Sequence, residues 1–181
     1  FFVSLNMVKQ SPELRKLVKK RKTDLYFSNT MSKFEPLGKN SDSLDGLNSH
    51  MVVMDELHAV KDRNLYEVMK QSMSARRQPL LVMITTSGTV RECIYDDMYE
   101  YASKVADGII KDDIFLPIMY ELDDKEEWKD EKAWLKANPS LGKIKKYSDL
   151  KEKVERAKVD PKTLSGVLCK DFNIKQTLNS A

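Results

Sequence analysis

The chain has 181 residues, 41% of them hydrophobic, with six Gly and six Pro, which is enough to bury one real core with at most a small appendage. Its 31 basic and 28 acidic residues leave a formal charge of only +3, so the averaged electrostatic footprint of a dedicated nucleic-acid binder is missing. Cys93 and Cys169 stand in no CxxC pair and at no metal-ligand spacing with His50 or His58, which fits a reduced cytosolic protein, and no stretch approaches the roughly 18 apolar residues of a membrane span.

The opening FFVSLNMV has neither a basic flank nor a small-residue cleavage site, so it reads as a buried segment and not as a signal peptide. A chain that starts on Phe1 and stops in NIKQTLNSA reads as a piece of a longer protein. Ser11-Pro12-Glu13 is a helix start, with Ser as N-cap, Pro at the first helical position and an acid near the positive end of the dipole. Leu14, Leu17 and Val18 give that helix one apolar face, and Lys19, Lys20, Arg21 and Lys22 read as its solvated basic end. Leu25 to Phe27 is a short strand, followed by a polar stretch from Ser28 to Ser49 long enough to suspect function.

Met51-Val52-Val53-Met54 is a fully apolar run that ends abruptly at Asp55-Glu56, the pattern of a buried parallel strand with a site at its carboxyl end. Leu65, Val68, Met69 and Met73 recur at helical spacing over about Asn64 to Ser74. A second apolar run, Leu80 to Ile84, ends in Thr85-Thr86-Ser87-Gly88, and Ile94, Met98, Tyr101 and Val105 mark the next helix. Strands alternating with helices predict an α/β unit with a parallel sheet, whose ligands bind at the carboxyl ends of the strands. A third run, Ile114 to Tyr120, contains Pro117 and is predicted as an edge strand. From Asp123 the chain is charged and helical: Trp128 and Trp134 on one helix ended by Asn138-Pro139, then Tyr147 to Lys158, then a last helix capped by Asp160-Pro161 and carrying Leu164, Val167, Leu168 and Phe172.

Four apolar residues followed by Asp-Glu match a Walker B motif. A buried strand fixes both carboxylates at a phosphate site, where the first holds magnesium through water and the second orients or deprotonates the attacking water. Asp55 and Glu56 take those roles in order, although the same pair also serves as a helix cap or a solvated turn elsewhere. His58 completes D-E-L-H and is a candidate relay or a simple cap. Thr85, Thr86, Ser87 and Gly88 offer hydroxyls and backbone amides to a phosphate or its attacking water, or cap the next helix.

The stretch LDGLNSHMVVMDELHAVKDRNLYEVMKQSMSARRQPLLVMITTSGT, continued through YEYASKVADGIIKDD, FLPIMYELDD, WLKANPSLG and DFNIKQT, resembles the large terminase subunits of tailed phages and prophages from about Ser11 to Thr177. The resemblance implies a partial P-loop NTPase of the additional-strand, RecA-like kind, a parallel sheet with flanking helices followed by a small helical subdomain. It divides the chain into residues 1–122, the C-terminal part of an ATPase core, and 123–181, a helical linker leading to a nuclease domain that the chain does not include. It implies a DNA-translocating ATPase using ATP and Mg2+, with endonuclease activity in the full-length protein, acting in the cytoplasm of a bacterial host. The implied partners are double-stranded phage DNA, the small terminase subunit, the portal and procapsid, and further copies in a ring, with no membrane. Asp55 and Glu56 match Walker B, and Thr85 to Gly88, with His58, match the coupling elements.

No GxxxxGK[ST] or shortened Gly-Lys-Ser/Thr variant occurs, so the chain is expected to hold half of an active site and to be inactive alone. The strand bearing a phosphate loop is expected between the Leu80 to Ile84 strand and the Ile114 to Tyr120 strand, leaving that slot open here. Arg76 and Arg77 are candidates for a charge acting on a neighbouring subunit's nucleotide, or are a solvated turn. The alternatives are a DExH helicase-like ATPase fragment, against which the Thr-Thr-Ser-Gly turn argues, and a noncatalytic interaction module.

Overall fold

The computed structural model describes residues 1–38, 44–88 and 93–176. Thr89 and residues 177–181, which close two of the stretches quoted above, and residues 39–43 of the polar stretch lie outside the described residues. The chain divides between residues 41 and 42 into two compact units.

The first unit holds α1 (Phe2–Gln10), α2 (Pro12–Leu17) and an antiparallel sheet of β1 (Val18–Lys20), β2 (Leu25–Phe27) and β3 (Ser32–Phe34) in that order. The Ser11 hydroxyl accepts from Leu14 N at 3.3 Å, so α2 starts where its sequence says it should. It ends earlier than expected. Val18, Lys19 and Lys20 leave the helix and pair with β2, because the pairing of Val18 with Phe27 buries the β-branched Val18 beside Leu5 and Leu25. The chain start is also less buried than expected: α1 covers Leu5 but leaves Phe2, Val3 and Met7 exposed.

In the second unit β4 (Met51–Asp55) pairs in parallel with β5 (Leu80–Ile84), Met51 opposite Leu80 and Asp55 opposite Ile84. Between them runs α3 (Arg63–Gln71), whose first turn is capped by Asp62 accepting from Asn64 N at 2.9 Å, and after β5 comes α4 (Ile94–Ala106). Val52 and Met54 face a core with Leu57, Tyr66, Met69 and Ile94. The apolar run of β4 was expected to be buried throughout, yet Met51 is 55% and Val53 47% exposed, as are Leu80 (52%) and Ile84 (53%) on β5. Only one face of the sheet is covered, because all the described helices packed on it lie on the Val52 and Met54 side.

The predicted third strand, Ile114 to Tyr120, does not form one; the segment joins no strand ladder among the described residues. Pro117 removes a donor, and a cavity of about 640 Å³ separates the segment from β5. Its ends are fastened elsewhere. The Tyr101 hydroxyl donates to Asp112 at 2.6 Å, and the Tyr99 hydroxyl donates to Glu121 at 2.8 Å. Burial and the Glu121 carboxylate push the Tyr99 hydroxyl up to about 12, so it stays a neutral donor.

The helical part follows. Trp128 and Trp134 do not share the single helix expected of them: a capping box of Asp124 and Glu127 starts a 3₁₀ turn (Lys125–Lys129), extended Asp130 breaks it, and Trp134 opens the short α5 (Trp134–Ala137). The break lets Trp134 Nε1 donate to Trp128 O at 2.8 Å, so both indoles enter one core. There α6 (Tyr147–Val159) and α7 (Pro161–Phe172) pack Leu150, Val154, Leu168 and Phe172 against Trp134. Buried Asp171 is compensated by Lys145 at 2.8 Å and Lys153 at 3.0 Å.

Phe172→Ala removes a side chain with no exposed surface and is expected to cost about 3–5 kcal/mol in urea unfolding, whereas Ile144→Ala, at a site 88% exposed, should stay within about 0.5 kcal/mol of the parent. Equal midpoints for the two variants would contradict this packing.

Candidate functional site

The in-register pairing of β4 and β5 ends both strands level, so the chain leaves Asp55 and Ile84 side by side. Glu56 then adopts φ 54 and ψ 52, a left-handed conformation that costs a non-glycine residue roughly 1–2 kcal/mol. The turn this makes leads at once into the 3₁₀ turn Leu57–Ala59. Leu57 drops into the core, while Asp55 and Glu56 stay exposed at the strand end. The Glu56 amide donates to Asp55 Oδ1 at 3.0 Å.

His58 returns over the end of β5. Its backbone amide donates to Thr85 Oγ1 at 3.1 Å, and its Nδ1 lies 2.9 Å from that oxygen and 3.2 Å from Glu56 Oε2. The Thr85 hydroxyl donates its one proton to Thr86 O at 2.8 Å, so the proton between Thr85 and His58 must belong to Nδ1. In the neutral ring Nε2 is therefore left as an acceptor. Gly88 closes the cluster: a Cβ built there would stand 2.6 Å from His58 Cβ, so the fourth residue of the Thr-Thr-Ser-Gly turn has to lack a side chain.

Asp55, Glu56, His58, Thr85 and Gly88 thus come together, with Thr86 joining through its carbonyl. Ser87 faces the other way and is buried; its hydroxyl donates to Cys169 O at 2.9 Å and its amide to Asn173 Oδ1 at 3.4 Å. Asn173 ends α7 in the left-handed region and also donates from Nδ2 to Tyr120 O at 2.8 Å. The sequence reading did not single out Cys169 or Asn173. An Asn just past a helical pattern is a C-cap signal, but nothing in the sequence ties it to residue 87. Arg76 donates to Asn48 O, at the amino end of the strands, about 16 Å of strand from the acids, so it does not reach them within its own chain.

Among the described residues no group of three or more His, Cys, Asp or Glu is arranged so that it could hold a metal ion.

A family model of the terminase large subunit ATPase domain matches residues 2–104, and one of the terminase large subunit endonuclease domain matches residues 109–181. Protein YmfN of Escherichia coli (strain K12) is 33% identical over 138 residues, covering 76% of this chain and 30% of that protein. The terminase large subunit of Lactococcus phage p2 is 29% identical over 146 residues, covering 81% of this chain and 27% of its own length. The chain therefore spans less than a third of these curated relatives. The crystal structure of the HK97 bacteriophage large terminase superposes with a TM-score of 0.80 at 21% identity, over 96% of this chain and 36% of that one, and so shares its fold.

Gly88→Ala should displace His58 and cost about 1–3 kcal/mol, read by urea unfolding. Nitrogen chemical shifts of His58 near neutral pH should report the Nδ1–H tautomer in the parent; a neutral ring protonated at Nε2 would contradict the hydrogen-bond assignment.

Proposed function

We propose, for a chain that belongs to the terminase large subunit family, that it forms part of an ATP-driven DNA-packaging motor and supplies the Walker B acids and the coupling turn of its ATPase site. The observation that carries this reading is the Glu56–His58–Thr85 hydrogen-bonded link, which joins the acid pair to the turn after the neighbouring strand. Asp55 would hold the magnesium ion that accompanies the nucleotide. Glu56 would orient or deprotonate the water that attacks the γ-phosphate. His58, fixed by Thr85, relays a change at Glu56 to the turn Thr85–Gly88.

The bound nucleotide and its ion supply the phosphoryl chemistry; the chain's own part is to place carboxylates and a turn around them. The edge of β5 left unpaired among the described residues, the exposed sheet face at Met51, Val53, Leu80 and Ile84, and the cavity before Ile114 all favour a further parallel strand here, the one expected to bear the phosphate loop. Family membership favours this reading over a DExH helicase or a noncatalytic module. In this proposal residues 1–122 belong to the ATPase core and 123–181 to the helical part beyond it, although the endonuclease family model already begins at residue 109. The working partners are double-stranded phage DNA, the small subunit, the portal and procapsid, and further copies in a ring. The site of action is the host cytoplasm.

In a longer form of the protein that includes a phosphate loop, Glu56→Gln should lower hydrolysis about 100-fold to 10,000-fold while ATP still binds. Asp55→Asn should weaken the magnesium-dependent part of nucleotide affinity. Near-parental turnover by Glu56→Gln would remove it from the catalytic role. The 181-residue chain alone should release no phosphate above a Glu56→Gln control.

A further inference from the structure

Beyond Ile84 the chain leaves the ladder of β5, so among the described residues Thr85–Gly88 have no sheet partner to fix where they lie. His58 fixes the start of this turn through Thr85. Its later part is fixed from α7. Ser87 is 3% exposed, and each of its polar groups engages the end of that helix: the hydroxyl donates to Cys169 O at 2.9 Å, the carbonyl accepts from the Cys169 thiol, and the amide donates to Asn173 Oδ1 at 3.4 Å. A buried residue whose amide, carbonyl and side chain all bond to one helix end sits where that helix end puts it.

Asn173 supplies the acceptor by closing α7. Its backbone is left-handed, φ 56 and ψ 26, and its own amide and that of Ile174, the latter at 2.9 Å, both donate to Leu168 O. The orientation of its side-chain amide is dictated by the partners, since the Ser87 amide can only donate and the Tyr120 carbonyl, 2.8 Å from Nδ2, can only accept. A carboxylate of the same length accepts but does not donate, so Asn is the side chain that makes both bonds. The residues beside it are anchored on α4. Lys175 Nζ lies 3.1 Å from Asp96 Oδ1 and 4.2 Å from the Tyr99 ring centre, and Glu121, next to Tyr120, accepts from the Tyr99 hydroxyl at 2.8 Å. Any shift of Ser87 therefore has to break its bonds to α7 or carry the anchored helix end with it.

We propose that Asn173 is a positioning residue for ATP turnover, seating the Thr85–Gly88 turn from the end of α7; the reaction rests on the motor reading, the seating on the bonds of Ser87. Asn173 bonds to neither acid. It acts through Ser87, whose companions in the turn, Thr85 and Gly88, meet His58 and so set its contact with Glu56. Without the Asn173 side chain the turn loses its outer support, His58 follows it, and the Glu56 carboxylate is misplaced for attack while the nucleotide still binds.

Two substitutions separate this role from that of a helix end. Glycine takes the left-handed conformation without strain, so Asn173→Gly closes α7 but keeps neither side-chain bond. Asn173→Asp keeps the acceptor for the Ser87 amide and loses the donor to Tyr120 O. In the 181-residue chain, amide exchange followed by NMR should show Ser87 exchanging about 10-fold faster in Asn173→Gly, with the His58 ring nitrogens shifted and Asn173→Asp nearer the parent. Ile144→Ala, at an exposed site in the helical part, should change neither signal. In the longer protein that includes a phosphate loop, compared at equal folded fraction by circular dichroism, Asn173→Gly should lower kcat about 10-fold to 100-fold with KM for ATP within about 2-fold of the parent. Asn173→Asp should fall between the two. A residue that only ends the helix gives the reverse order, with glycine nearest the parent, and that order overturns the proposal. Unchanged Ser87 exchange in Asn173→Gly overturns it as well. If Glu56→Gln keeps parental turnover, the motor reading fails and the assignment to turnover with it. A full Glu56→Gln loss beside an unaffected Asn173→Gly overturns the positioning role alone.

Discussion

The parallel pairing of β4 with β5 sets everything that follows in the second unit. Because Met51 lies opposite Leu80 and Asp55 opposite Ile84, the two strands end level, and the residues after them are forced into one small volume. A slip of one residue would send the whole apolar set of a strand to the other face and part His58 from Thr85. The left-handed Glu56 is the local consequence: its backbone reverses so that Leu57 can be buried while both carboxylates remain open.

From that cluster two connections run outward. His58 links Glu56 to Thr85, and Ser87, two residues on, is buried against the end of α7. Asn173 takes the Ser87 amide on one side and holds Tyr120 on the other. The first part of this path lies in the region matched by the ATPase family model, and α7 and Asn173 lie in the region matched by the endonuclease model. The Ser87 hydroxyl bond to Cys169 O, at 2.9 Å, is buried, so leaving it unmade costs the desolvation of its partner. The turn Thr85–Gly88 is thus held on both sides, by His58 and by the end of α7.

The sheet itself is unfinished by the usual standard of parallel sheets, which are covered on both faces. Among the described residues one face of the sheet and the second edge of β5 stay open, and the segment beyond the cavity is fastened at its ends by tyrosine hydroxyls instead of a strand ladder. The helical part is the opposite case. Trp134 and Phe172 are fully enclosed, and Asp171 is met by two lysines, so it closes its own core.

The sequence by itself determined β4 and β5, the acid pair, the Thr-Thr-Ser-Gly turn and the caps at Ser11 and Asp160, since all of these depend on short-range pattern: an apolar run stopped by polar residues, or a capping side chain a few positions from its helix; the family came from the resemblance of longer stretches and not from such patterns. Three things required the tertiary structure. Lys19 and Lys20 continue a helical charge pattern, and only pairing with β2, which buries Val18, turns them into a strand. Ile114 to Tyr120 has strand composition, but a strand exists only where a neighbour supplies the ladder, and across the cavity none does. The tie of Ser87 to Cys169 and Asn173 spans more than 80 residues of chain, a distance over which no local periodicity carries information; packing alone decided it.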